Sequence, residues 1–455
     1  ALFRQVASTN LTSENYIGMS GGAVDFAGSA ATLGSAVVFE QAQSKDFRGV
    51  FDSNLNKIVI AYKDQGNSSY GTAIVGTVDP SDNSISFGSA VVFEAAAVNE
   101  YVGAAFDSNS NKVVIGFSDN GDSNKGKAIV GTVSGTSISF GTAAVFDSGE
   151  TRFISVTFDS NLNKVVISYG DNTNSSRGTA IVGTVSGTDI SFGSKANFNT
   201  NEISFITSTF DSNSNKVVIA YQHNSASGRG TAVVATVSGT SISFGTAVVF
   251  NSSNSTNVTT TFDSNSNKVV IAYKDYGNSQ YGTAIVGTVS GTSISFGTSA
   301  VFYAAAVEEP YITFDNNINQ VAIVYADTST DGNVVMGTVS GTSITFGTAS
   351  IFESLRAGDL SSMYDPNVDR VVIFYSNPDN SSYGTSVVFT PDTRTTTRGQ
   401  VASGSSASVD IIGTVSENQN ELTAGQSYFV QTDGTIGLTA GSPSVFAGTA
   451  ISATK

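Results

Sequence analysis

The sequence predicts an all-β fold built from seven copies of one four-stranded unit. Three observations carry this: an aromatic-Asp anchor returns about every 50 residues, each period holds four runs rich in Val, Ile, Phe and Tyr, and no stretch of 18 apolar residues occurs anywhere. The anchor stands at Phe51, Phe106, Phe158, Phe210, Phe262, Phe314 and, in altered form, Tyr364, with spacings of 55, 52, 52, 52, 52 and 50.

One period, taken from Phe210, reads as the approach to "STFDS", then "NKVVIAY", "GTAVVATV" and "SISFGTAVVF" as a fourth strand. Between the first two strands lies "DSNSN", whose Asp and Asn side chains bond local backbone and tolerate left-handed conformations. Between the last two lies "SGTS", a hairpin turn with a glycine. The apolar runs do not alternate with polar residues, as expected of strands covered on both faces. Four antiparallel strands per unit, both faces covered and seven units describe a seven-bladed β-propeller. The seventh unit stops after "VVIFYSNPDNSSYGTSVVFT" without its last strand, and the stretch Val24 to Phe39 aligns with that missing piece. An N-terminal strand is therefore expected to close the ring, since a solenoid would need polar caps. The domain reading is 1–23 as an N-terminal segment, 24–390 as the propeller and 391–455 as a small all-β module of short strands joined by Gly turns.

In such a ring the turns joining strands one to two and three to four share one face. Here they repeat nearly verbatim and read as framework. The column Lys57, Lys112, Lys164, Lys216 and Lys268 is expected to pair with the anchor Asp across the hairpin. The D-x-N-x-N spacing is that of a calcium loop, but the Gly at the sixth place and the distal Glu are missing, so turn chemistry is the better reading. On the other face, the blade-to-blade loops and the loops joining strands two and three differ from copy to copy. Their charged and aromatic residues make a candidate binding surface: Arg48, Lys63, Asp64, Glu100, Tyr101, Arg152, Phe205, His223, Lys274, Tyr276, Tyr311 and Arg356. A rim of polar, planar and aromatic groups suits sugars.

Composition narrows the partners. Net charge is -16, so the surface potential repels phosphate backbones and anionic lipid, which argues against nucleic acid and membrane insertion. Cysteine is absent, which removes disulfides and thiolate metal sites. The single histidine, His223, shares a loop column with Asp64, Asp119, Asp171, Asp275, Asp327 and Asn377, and it reads as one variant of an exposed position, not as a catalytic base. Glu100, Glu150, Glu202, Glu308 and Glu309 lie in the variable loops and could serve a glycosidase, but solvated loop charges are the better reading. No enzyme, metal or cofactor is expected. The chain begins at Ala1 with no basic-then-apolar leader, as a processed protein or a portion of a longer one would.

The repeated "KVVIAY...GTAIVGTVSGTSISFGT", the opening "NLTSENYIG" (Asn10 to Gly18) and the tail "LTAGQSYFVQTDGTIG...SVFAGTAISATK" resemble tail-fibre and host-specificity proteins of marine and cyanobacterial bacteriophages. The resemblance covers nearly the whole chain. It implies an extracellular virion appendage that touches the host surface, and together with the variable loops it gives the expectation of a protein that binds a host cell-surface glycan or protein. Other virion or fibre subunits, or further copies of this chain, are its implied neighbours. The alternatives are a filament subunit that uses the ring as a spacer and a glycan-cleaving tailspike. In such proteins the opening and the tail belong to one module, so residues 1–23 are expected to pack on 391–455.

Overall fold

The computed structural model describes residues 31–99 and 102–392, and outside them the backbone strands Gly18–Ser20, Ala23–Asp25, Ser427–Val430, Ile436–Gly437 and Val445–Thr449. The chain divides into two compact units, Ala31–Pro391 and a second made of Ala1–Ala30 with Asp392–Lys455. In the second unit Gly18–Ser20 pairs antiparallel with Ala23–Asp25, and Ser427–Val430 pairs with both Ile436–Gly437 and Val445–Thr449. The expected packing of 1–23 on 391–455 lies outside the described residues.

Ala31–Pro391 is all-β, in large antiparallel sheets. In one repeat Lys216–His223 lies between the end of Ala196–Asp211 and Arg229–Ser238. Arg229–Ser238 then pairs with Ser241–Phe244 along one half and with the start of Val248–Asp263 along the other. The expected fourth strand is thus two strands, broken at Gly245-Thr246-Ala247. The physical reason is an approach by a neighbour. A Cβ on Gly245 would lie 1.8 Å from the carbonyl oxygen of Thr292, in the next repeat's hairpin turn, so the chain passes that turn as bare backbone.

The segments expected to be blade-to-blade loops are strands instead. Val37–Asp52, Ala144–Asp159, Ala196–Asp211 and Val248–Asp263 each run 16 residues, finishing one sheet and beginning the next. A bulge allows the change of partner: in Val248–Asp263 the register shifts between Thr256 and Thr259, where Asn257 takes φ 49°. The first strand of each sheet touches the first strand of the next, and Gly358–Asp365 touches Val37–Asp52. Thr32–Leu33 and the start of Val37–Asp52 pair with Tyr383–Thr390.

Among the described residues, seven apolar clusters hold these sheets, and each joins two consecutive ones. One gathers Val166 and Val182 of the third repeat with Ile219, Tyr221 and Val233 of the fourth. Another gathers Val372, Phe374 and Val388 of the seventh with Phe39, Ile58 and Ile60 near the N-terminus. The second strands have both faces in such clusters, which is why Val217, Val218, Ile219, Ala220 and Tyr221 are all buried without alternation. Each glycine opening a third strand is matched by a phenylalanine on the strand beside it. Gly230 faces Phe250, which packs in turn on Tyr273 at 5.2 Å between centroids.

The anchor aspartates are buried and serve their turns. Asp211 accepts the backbone N–H groups of Asn213 and Ser214 at 2.9 and 3.0 Å, and Asp52, Asp107, Asp159, Asp263 and Asp315 do the same. Their carboxylates are engaged there, so the expected pairing with the lysine column does not form. Lys57 and Lys164 reach across to the third strand instead, donating to the Thr77 and Thr184 hydroxyls at 2.8 and 2.9 Å.

Candidate functional site

The bulges of the first strands build the site. Five residues before each anchor aromatic, Asp46, Phe153, Phe205, Asn257, Glu309 and Asp359 have φ between 48° and 56°. The seventh member of this column, Tyr101, lies outside the described residues. Left-handed backbone is uncommon for residues other than glycine and costs about 1 kcal/mol or more each, so the surrounding pairing must impose it. One backbone conformation is therefore repeated while the side chain upon it changes from carboxylate to aromatic to amide.

All six line one cavity of about 360 Å³, together with Lys45, Arg48 and Tyr311. The same strands also carry hydroxyl groups. The Ser155 and Ser208 hydroxyls are 2.9 Å apart, and Thr157 is 2.6 Å from Ser208, which ties the third repeat to the fourth. The Phe153 and Phe205 rings meet at 5.6 Å between centroids. The Arg48 guanidinium lies 5.4 Å from the centre of the Tyr311 ring and donates to the Phe47 carbonyl at 2.7 Å.

Glu309 in the cavity is a perturbed carboxyl. Burial first, and then the Asp359 and Asp46 carboxylates, push its pKa up to about 7, against the pull of the Leu360 N–H that it accepts at 3.1 Å. Asp359 accepts the Ser376 hydroxyl at 3.0 Å. A carboxyl whose folded pKa exceeds its unfolded value, about 4.3, stabilises the fold fully below that value and loses the contribution as pH rises through about 7. Glu309→Gln removes this dependence. The melting temperature of the unsubstituted protein should fall relative to that of Glu309→Gln between about pH 5 and about pH 8. A constant difference across that range would contradict the placement of the carboxyl.

The structure separates the sequence-derived site residues. Arg48, Phe205 and Tyr311 enter the cavity. Lys63 is half-buried and strand-paired with the cavity residue Lys45. Asp64 is buried and accepts the Asn67 N–H at 3.0 Å, holding the short helix Gln65–Asn67. Arg152 is exposed and ion-paired with Glu150 at 2.9 Å. His223 is half-buried, and burial first, then Arg229, hold its imidazole pKa below the ordinary value. Lys274 is buried, ion-paired with Glu308 at 2.6 Å, and 5.4 Å from the ring of exposed Tyr276. Arg356 is exposed, and its N–H donates to Asp379 at 3.0 Å. Glu100, like Tyr101, lies outside the described residues. Sequence reasoning left Lys45, Asp46, Asn257 and Asp359 out of the site, and placed Phe153 and Glu309 in the variable segments without choosing them as site residues. Counting back five residues from each anchor would have found five of these six.

No family model matches the chain, and no curated protein matches it. Solved structures do. The chain is similar to the BP39L lectin from Burkholderia pseudomallei, with TM-score 0.58 and 8% identity over 80% of this chain and 99% of that one. It is also similar to a chain of the mitotic checkpoint complex, with TM-score 0.50 and 10% identity over 85% of this chain and 100% of that one. At such identities the likeness is one of fold.

Proposed function

We propose that Ala31–Pro391 is a seven-bladed β-propeller closed by its N-terminal strand, and that it binds a host cell-surface glycan as part of a bacteriophage tail appendage. The observation that carries the binding role is the collar: six left-handed positions with one backbone and different side chains, all lining one cavity. A concave site with aromatic faces and convergent polar groups fits a sugar ring. The ring closure is supported by the cluster joining Phe39 and Ile58 to Phe374 and Val388. The likeness to a lectin supports the scaffold's suitability for glycans, and the resemblance to tail-fibre proteins supplies the biological setting. Binding needs no chemistry on the ligand, and the role is that of an adhesin.

The test is binding of the labelled full chain to a panel of bacterial surface polysaccharides and to intact cells, before and after periodate oxidation of the sugars. Saturable binding that periodate abolishes is expected. Binding that survives periodate, or none on any surface, would overturn glycan recognition.

A further inference from the structure

The collar is divided by chemistry. Following the repeats in order, Phe153 and Phe205 stand on the third and fourth first strands and Asn257 on the fifth. Glu309, Asp359 and Asp46 then stand on the sixth, seventh and first. Because successive first strands touch, and the seventh touches the first, the three acids form one arc and the two aromatics another. Arg48 is held by the Phe47 carbonyl and the Tyr311 ring. The acids do not converge as a metal site: among the described residues, no three His, Cys, Asp or Glu side chains stand together as a metal ion requires. A spread arc of negative charge facing an apolar arc across about 360 Å³ matches a ligand with a cationic group on a ring-shaped body.

We propose that the cavity selects a sugar residue carrying a protonated amine, with the ammonium toward Glu309, Asp359 and Asp46 and the ring's C–H face toward Phe153 and Phe205. This rests on the glycan reading and specifies it. A cation there also offsets the repulsion that Asp359 and Asp46 exert on the buried Glu309 carboxyl. Asp359 and Asp46 are the charges that act on Glu309, and Lys45, Arg48 and Tyr311 are the other charged or titratable groups lining the cavity, so selectivity for a cation is drawn from the acid arc.

The experiment is calorimetric titration of the full chain with a glucosamine tetramer, its N-acetylated counterpart and spermidine. The two sugars share a skeleton and differ in charge, whereas spermidine carries charge without the ring. The amine tetramer should bind at least about tenfold more tightly than the acetylated one, and Glu309→Gln and Asp359→Asn should each remove most of that preference. Gln keeps an oxygen for the Leu360 N–H, and Asn one for the Ser376 hydroxyl, so neither substitution should disturb the fold. Equal binding of the two tetramers would overturn the inference and leave glycan recognition standing. Spermidine binding as tightly as the amine tetramer would overturn the sugar component. Failure of both tetramers would overturn the inference, and silence of the whole polysaccharide panel would overturn the glycan reading with it.

Discussion

Phe39→Ala should cost about 3–5 kcal/mol in urea unfolding, as much as the same change at Phe198 inside the chain. Phe39 is buried, packs edge-on to Phe47 at 5.6 Å and Tyr62 at 5.5 Å, and fills the space over Gly384 near the other end of the unit. Phe198 occupies the same place over Gly178 and beside Tyr221 at 5.3 Å. If the N-terminal strand completes the seventh sheet, the two phenylalanines do equivalent work and the two variants lose equal stability. A loss at Phe39 below about 1 kcal/mol would mean that the terminal strand is dispensable and the seventh sheet stands without it.

Gly245→Ala and Gly347→Ala should differ sharply although both stand in an "FGT" sequence. At Gly245 a Cβ would meet the Thr292 carbonyl oxygen at 1.8 Å, which is backbone on the next repeat and cannot turn aside. Separating the two sheets enough to admit a methyl group should cost about 3 kcal/mol or more. Gly34, Gly88, Gly141, Gly193 and Gly297 make the same close approach to the following turn. Gly347 does not, because its repeat is followed by the one without its own "SGTS" hairpin, and its nearest neighbour is the Met336 oxygen at 3.8 Å. Alanine there should change stability by less than about 1 kcal/mol. Equal melting curves for the two variants would refute the account of why the glycine recurs.

The framework was legible because its signals are local. Asp followed by Asn and Ser writes its own turn through the N–H groups it accepts, and a short, β-branched, unalternating "VVIAY" beside that turn reads as a strand covered on both faces. The junctions between repeats were misread as loops for an equally local reason. Segments such as "NSSNSTNVT" carry no apolar alternation, since their strand leaves one sheet and enters another, and each half answers to a different neighbour. The lysine column was misassigned because sequence places Lys57 opposite Asp52 without showing that the Asp52 carboxylate is already committed to Asn54 and Leu55. The collar was hardest to see. Left-handed positions are usually announced by glycine or asparagine, and here phenylalanine, glutamate and aspartate hold five of the six. Arg48, Phe205 and Tyr311 were found by their chemistry, but nothing in their chemistry separated them from Arg152, Tyr276 and Arg356 on the outside.

The most direct test of the central claim is titration of the best-binding glycan against two variants of the full chain. One, Arg48→Gln with Glu309→Gln, changes only the cavity. The other, Tyr276→Ala with Arg356→Gln, changes only exposed residues outside it. Affinity should fall at least about tenfold in the first and stay within about threefold in the second. The reverse pattern would contradict a ligand held in the cavity and would return the binding role to the outer loops.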